Sequence, residues 1–264
     1  MSLPERLPLL GQVETILVSL GVQLMTLRGS GLKAGTRQGA QVKSEADIIA
    51  HEFLVHEFSK FSRGVPIVSE EDESGHVARS ADRYWLIDPI DGTASYCDGF
   101  DGFVTQAALI EGGRPVLGVV HGPALQLTYK AAIGIQPTCN NAPIRVSSRR
   151  TELVLIDNYP EPRGVAREIY DALGFDRYIE SGSIALKICR VADGTADLFV
   201  KDVPVRDWDL APAHLLLESA GGVLVSFDGS PIAYSGPVEK HGVLAASSQR
   251  MIDAVTTWQR EAAN

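Results

Sequence analysis

From Leu10 to Leu27, apolar residues recur at Leu10, Val13, Leu17, Leu20, Leu24 and Leu27, the three-and-four spacing that puts one stripe on one face of a helix. The stripe predicts a packing helix; a coiled-coil or dimerisation seam has similar spacing but runs longer. Gly29 to Gly39 carries four glycines and reads as a loop. A second helix is predicted over Ser44 to Phe61, with Ala46, Ala50, Leu54 and Phe58 at fourfold spacing and Ser44 as N-cap. Short buried strands follow at Val65 to Ser69 and Tyr84 to Ile87, the second ending at Asp88-Pro89 because proline lacks the N–H a ladder needs. Phe103 to Ile110, the Gly112-Gly113 turn and Val116 to His121 read as a hairpin, with a further strand near Leu127 to Ala132.

Beyond Arg150 the pattern alternates: strand Leu153 to Asp157, helix Val165 to Leu173, helix Ile184 to Ala192, strand Ala196 to Val200, helix Leu210 to Ala220, strand Val223 to Phe227. The expected fold class is α/β, with an α+β N-terminal half. No internal repeat or low-complexity linker interrupts the chain. The Pro/Asn-rich stretch Pro137 to Pro143 is the candidate boundary, dividing residues 1–140 from 141–264, although the candidate site draws on both sides and makes them one functional unit.

Composition narrows the classes. In 264 residues, 45% hydrophobic positions suffice for a substantial core, in one large domain or two small ones. A formal net charge of -9 without any Lys/Arg block argues against a nucleic-acid polymer as partner. A small phosphorylated ligand still fits if a local cation cancels its charge, and carboxylates can hold such a cation. Cys97, Cys139 and Cys189 have no CxxC spacing, so neither a zinc site nor a disulfide framework is indicated, and three thiols suit a reducing cytosol. The first ten residues lack a basic segment followed by an apolar run, and no window offers about 18 uncharged apolar residues, so a cytoplasmic protein outside the membrane is expected. GxSxG, GxGxxG and P-loop patterns are absent, and the six histidines show no nucleophile-base spacing.

The chemistry concentrates at Trp85-Leu86-Ile87-Asp88-Pro89-Ile90-Asp91-Gly92-Thr93, where two carboxylates, a proline, a glycine and a hydroxyl follow a buried strand. By themselves Asp-Pro and Asp-Gly also form plain turns. Two further acidic segments weigh against that reading: Glu70-Glu71-Asp72 at the end of another apolar run, and Arg206-Asp207-Trp208-Asp209, which puts another acid directly before a predicted helix. Mg2+ takes oxygen ligands, a few of them carboxylates, and these acids would supply its shell.

The ordered set Glu70-Glu71, Asp88-Pro89-Ile90-Asp91-Gly92-Thr93, Trp208-Asp209 and Glu218-Ser219-Ala220-Gly221-Gly222 resembles the signature of the lithium-sensitive inositol monophosphatase superfamily, over roughly Val42 to Ser247. The resemblance implies a layered α-β-α-β-α sandwich and a hydrolase that releases phosphate from a small phosphorylated metabolite with two to three Mg2+ ions. It places the first ion on Glu70, Asp88 and the Ile90 carbonyl, the second on Asp88, Asp91 and Asp209, and a weaker third with help from Glu70. Thr93, paired with Asp47, would activate the attacking water; Asp47 would equally suit the first turn of a helix as a dipole-favoured acid. The backbone of Gly92 and Thr93 would touch the phosphate. Family members are often dimers, which makes a homodimer an expectation.

The substrate side is less conspicuous. Gly182-Ser183 opens a helix whose N-terminal amides would meet substrate hydroxyls or a second anion, with Lys187 following on that helix and Lys201 after the next strand. These positions are more similar to the 3'(2'),5'-bisphosphate nucleotidase branch, where cations suit a second phosphate; both lysines would equally serve as solvated surface charges. Ala94-Ser95-Tyr96 and Pro212 depart from the family pattern and leave the substrate open between a bisphosphate nucleotide, a nucleoside monophosphate, and an inositol or sugar phosphate. A binding or regulatory protein that keeps the fold but hardly turns over is the alternative from another class; it would be expected to lack part of the ligand set, which is complete here.

Overall fold

The computed structural model describes residues 3–30, 35–38, 41–72, 81–147 and 152–262. Its elements are α1 Leu3–Gly29, β1 Gly35–Gln38, β2 Gln41–Ser44, α2 Glu45–Phe61, β3 Ile67–Ser69, β4 Arg83–Asp91, α3 Thr93–Asp98, β5 Val104–Glu111, β6 Arg114–Gly122, β7 Leu127–Ala132, β8 Ile135–Cys139 and β9 Ala142–Pro143. The second half contributes β10 Val154–Asp157, α4 Gly164–Leu173, β11 Arg177–Glu180, α5 Ile184–Ala192, β12 Leu198–Lys201, β13 Val205–Arg206, α6 Asp207–Ser219, β14 Val223–Val225, β15 Glu239–Lys240, β16 Val243–Ala246 and α7 Gln249–Ala262.

Two sheets organise these pieces: a seven-stranded one in the order β3-β4-β5-β6-β7-β8-β9 and a five-stranded one in the order β11-β10-β12-β16-β14. Helices α1 and α2 cover the outer face of the larger sheet, α5 and α6 lie between the sheets, and α4 and α7 cover the outer face of the smaller one. The layers therefore run α-β-α-β-α, an α/β sandwich as expected. The stripe of α1 is used inside the fold: Leu10, Val13, Leu17, Leu20 and Leu24 are buried in one cluster with Leu109, Leu117 and Val119 of β5 and β6. By length and composition alone that helix is apolar enough to cross a membrane.

Several expected boundaries shift. Part of the glycine-rich stretch is strand, because β1 pairs antiparallel with β2; residues 31–34 and 39–40 of it lie outside the described residues. β4 does not stop at Pro89 but runs to Asp91. The ladder tolerates the proline because pairing with β5 skips from Asp88↔Gln106 to Asp91↔Val104, a register shift, and pairing with β3 has already ended at Ile87. The stretch expected to be a boundary is the outer edge of the larger sheet: Thr138 pairs with Pro143 and Cys139 with Ala142, so residues 140–141 are a turn within one sheet. One buried cluster joins Leu86 and Ala108 of that sheet to Phe199 and Leu224 of the other through α5 and α6.

Helix α6 starts three residues earlier than expected, at Asp207, because the Arg206 N–H donates to Asp209 Oδ2 at 2.7 Å and closes a capping box. Pro212 then sits in the second turn, not the first. Its carbonyl rests on Gly118 of β6, where an added Cβ would lie well inside van der Waals distance of the Pro212 backbone. Gly118→Ala is therefore expected to push α6 off the sheet, costing about 1–3 kcal/mol and displacing Asp209; the Tm measured by calorimetry should fall.

Candidate active site

The carboxylates converge because separate elements end at one place. β4 carries Asp88 and Asp91 to its C-terminal end, and α6 brings Asp209 in its first turn. Oxygens of Asp88, Asp91 and Asp209 all lie within 4.8 Å of one another. Glu70, the residue after β3, is outside that tight group but near enough for the charges of Asp209, Glu71, Asp91 and Asp47 to act on it. Such crowding holds protons on. Burial, then neighbouring negative charge from Asp209, pushes Glu70 up to about 8. Burial and Asp91 push Asp209 up to about 7. Asp88, raised well above the ordinary carboxylate range, owes this first to burial and then to Glu70 and Asp91.

Helix starts fix three of the acids. Asp47, in the first turn of α2, accepts the Ser44 N–H at 2.6 Å and the Ser44 hydroxyl at 2.8 Å on Oδ2, which caps the helix. Its other oxygen accepts from Thr93 Oγ1 at 3.1 Å. The capping role and the pairing with Thr93 thus coexist, one oxygen for each. Asp209 uses Oδ2 for the α6 cap in the same way. Asp91 receives the start of α5: Ala185 N–H donates to Oδ2 at 2.9 Å, Ile184 N–H to Oδ1 at 3.4 Å, and the Ser183 hydroxyl to Oδ2. Three helix N-termini, each carrying partial positive charge, are thereby aimed into the acidic cluster.

Asp88 has no such support. It is 1% exposed, and among the described residues Oδ1 has no hydrogen-bond partner and Oδ2 meets only the distant Gln106 amide at 3.4 Å. A buried, unpartnered carboxylate oxygen facing two other carboxylates fits a hard cation with oxygen ligands. The donor set contains no sulfur or imidazole, which suits Mg2+ over softer metals.

The remaining expected positions divide. Gly92 has φ +92, the left-handed turn that lets the chain pass from β4 into α3, and Thr93 Oγ1 also donates to the Ile90 carbonyl at 3.1 Å. Gly182 packs backbone to backbone on Gly102, with Ser183 N–H donating to Gly102 O at 2.6 Å. The α5 amides expected to meet a substrate are thus engaged by Asp91, and Ser183 is a partner of Asp91. Lys187 is neither a solvated charge nor open to a ligand. It is 0% exposed, donates to the Gly182 carbonyl at 2.6 Å and to Asn158 Oδ1, and lies over the Phe199 ring. Burial, with Lys201 nearby, brings it down to about 7. Lys201 does line an open cleft of about 320 Å³, with Asp157, Asn158, Tyr159, Arg163 and Asp202.

Sequence reading passed over Gln106, Asn158, Tyr159 and Arg163. Gln106 carried a signal, a polar residue inside an apolar strand; the others sit on a loop after β10 that only the fold brings to Lys201.

The family model for the inositol monophosphatase family matches residues 15–263. The chain is 34% identical over 194 residues to the 3'(2'),5'-bisphosphate nucleotidase CysQ of Escherichia coli K12, covering 72% of this chain and 78% of that protein. It is 32% identical over 199 residues to a fructose-1,6-bisphosphatase/inositol-1-monophosphatase of Thermotoga maritima, 71% and 72% covered. Among solved structures, the Thermotoga maritima IMPase superposes with TM-score 0.78 at 27% identity, covering 94% of this chain and 96% of that one. CysQ from Bacteroides thetaiotaomicron superposes with TM-score 0.77 at 21% identity, covering 90% and 97%. With the fold, the clustered acids and these matches in agreement, the chain belongs to the inositol monophosphatase family, on the CysQ-like side of it, and is a phosphatase.

Proposed function

We propose that this phosphatase is a Mg2+-dependent phosphomonoesterase acting on a small nucleotide, a 3'(2'),5'-bisphosphate nucleotide or a nucleoside monophosphate. The observation that carries the metal dependence is the Asp88, Asp91, Asp209 cluster with its unpartnered Asp88 Oδ1. Glu70, Asp88, Asp91, Asp209 and the Ile90 carbonyl would hold the ions. When bound, these would neutralise the phosphoryl oxygens and the leaving oxygen, the main need in phosphate ester hydrolysis. The protein's own groups do the rest. Thr93, tied to Asp47, orients the attacking water, and Asp47, raised above the ordinary range chiefly by burial, is suited to accept its proton. The Gly92 turn lets the phosphate approach the backbone.

The nucleotide reading is supported by the similarity to CysQ and by the cleft after β10 and β12. Among the described residues the Lys201 ammonium makes no hydrogen bond or salt bridge, and its charge acts on Asp209, so a second phosphate held there would adjoin the acids. Arg163 stacks on Tyr159 with 4.8 Å to the ring centroid, and Tyr159 is 46% exposed, leaving ring surface for a base. Asp157 and Asp202 line the same cleft and favour a second reading, an inositol or sugar monophosphatase whose hydroxyls those acids would bind. A cytoplasmic location remains part of this proposal.

Phosphate release with Mg2+ from adenosine 3',5'-bisphosphate, AMP, inositol 1-phosphate and fructose 1,6-bisphosphate tests these readings, with Asp91→Asn as blank. Lys201→Glu is expected to lower kcat/KM about tenfold to hundredfold for the bisphosphate, the worth of a charged hydrogen bond, and to change AMP by less than about threefold. Equal losses on both substrates would remove Lys201 from the second-phosphate role. Preference for inositol phosphate would favour the second reading.

A further inference from the structure

A hydroxyl and an imidazole hold the strand end from which Glu70 projects. β3 stops at Ser69, and Glu70 adds one rung by donating its N–H to the Ile87 carbonyl at 3.4 Å. The chain then turns: Asp72 N–H donates to Ser69 O at 3.2 Å and Glu71 N–H donates to Ser69 Oγ at 3.3 Å. Ser69 is 0% exposed, and its Oγ lies 2.8 Å from His51 Nδ1. The same oxygen accepts the Glu71 amide and bonds Nδ1, as donor or as second-time acceptor according to the imidazole tautomer. His51 sits on α2 one turn beyond Asp47, so one helix face meets the site twice, at Thr93 through Asp47 and at Ser69 through His51.

A hydroxyl buried this completely touches no ligand; what it can do is fix the turn. Without the imidazole, the Ser69 hydroxyl keeps, among the described residues, only the long Glu71 contact, and the turn that begins at Glu70 is held less firmly. Anchoring α2 is not the pair's task, since Ala50, Leu54 and Phe58 are fully buried and Phe58 packs edge-on against Trp85 with centroids 4.8 Å apart. We infer that His51, acting through Ser69, is a positioning residue that presets Glu70 for the metal centre. The inference rests on the metal-centre reading above.

The test uses Mn2+ as probe, an ion of similar oxygen preference, with free Mn2+ followed by electron paramagnetic resonance on the full chain. His51→Ala and Ser69→Ala are each expected to weaken the tightest Mn2+ site about tenfold, as loss of an outer-shell partner does. The double variant should be no weaker than either single one. His51→Asn, whose amide can take the place of Nδ1, should return to within about twofold of wild type, a difference under half a kcal/mol by the usual conversion. At saturating Mg2+, kcat and substrate KM should stay within about twofold, so the loss reads as metal affinity alone. A Mn2+ isotherm for His51→Ala or Ser69→Ala that overlays wild type overturns the inference, as does a fall in kcat at saturating metal without a shift in Mn2+ affinity. Should His51→Ala fail to fold, Ser69→Ala carries the same test. Asp88→Asn separates the two readings: if it abolishes the tight site while the His51 variants leave it intact, the metal centre stands and only the positioning role falls; if wild type takes up no Mn2+, both fall.

Discussion

Asp88→Asn is expected to abolish phosphate release while raising the stability of the metal-free protein. Asn keeps the shape of the side chain and its contact with Gln106, yet removes the charge of a buried carboxylate whose Oδ1 has no hydrogen-bond partner among the described residues. As a ligand proposed for both main ions, Asp88 should be worth several kcal/mol in the transition state, so kcat/KM should fall by about three orders of magnitude or more. Without the metal the same charge is a burden, because Glu70, Asp91 and Asp209 all repel it. Relief of about 1–2 kcal/mol should raise Tm by about 3–6 °C in EDTA. Undiminished Mg2+-dependent turnover would remove Asp88 from the site; a lower Tm would show that its neighbours do not repel it as the geometry requires.

Raising the pH from about 5 to 8 should lower the Tm of the metal-free wild type by about 5–10 °C, and Mg2+ should cancel most of that loss. The sign follows from the raised carboxylates. Glu70, ordinarily 4.5, sits at about 8 in the folded protein, and Asp209, ordinarily 3.8, at about 7. Across that window the folded chain holds protons the unfolded chain has released, so stability is present at the acid end and is lost as pH rises through the folded values. Metal binding needs the deprotonated forms and releases those protons, so Mg2+ affinity should rise over the same range. Calorimetry at four pH values, with EDTA and with Mg2+, checks both limbs. A metal-free Tm that climbs between pH 5 and 8 would contradict the crowding of these acids.

Much of this site was legible before any coordinates. Asp209 lies far along the chain from Asp88 and Asp91, yet the three come together in the structure, Glu70 is near enough for Asp209 and Asp91 to act on its charge, and Thr93 is bonded to Asp47. Periodicity found the helices with one buried face, as at Leu10 to Leu27 and Val165 to Leu173, since there the 3.6-residue repeat is the repeat of burial. It missed β1, β2, α3, β8, β9, β11, β13, β15 and β16, segments of two to six residues too short to show a repeat, and α7, whose buried face rests on Ile252 and Val255.

Lys187 shows where local pattern ceases to inform. α5 lies between two sheets, so Ala185 through Cys189 are all buried and no polar face marks the outside. Nothing in the neighbouring residues distinguishes a lysine that reaches solvent from one that bonds Gly182 and Asn158 underneath the site. Pro89 is similar: whether a proline ends a strand depends on the partner's register, and here β5 supplies the shift that accommodates it.

By itself the sequence determined the acids and their order, because spacing along the chain and residue chemistry are local properties. Only the tertiary structure decided which oxygen of each acid is committed to a helix start, which is left for a cation, and which lysine faces the cleft, because those depend on where elements distant in sequence come to rest against one another.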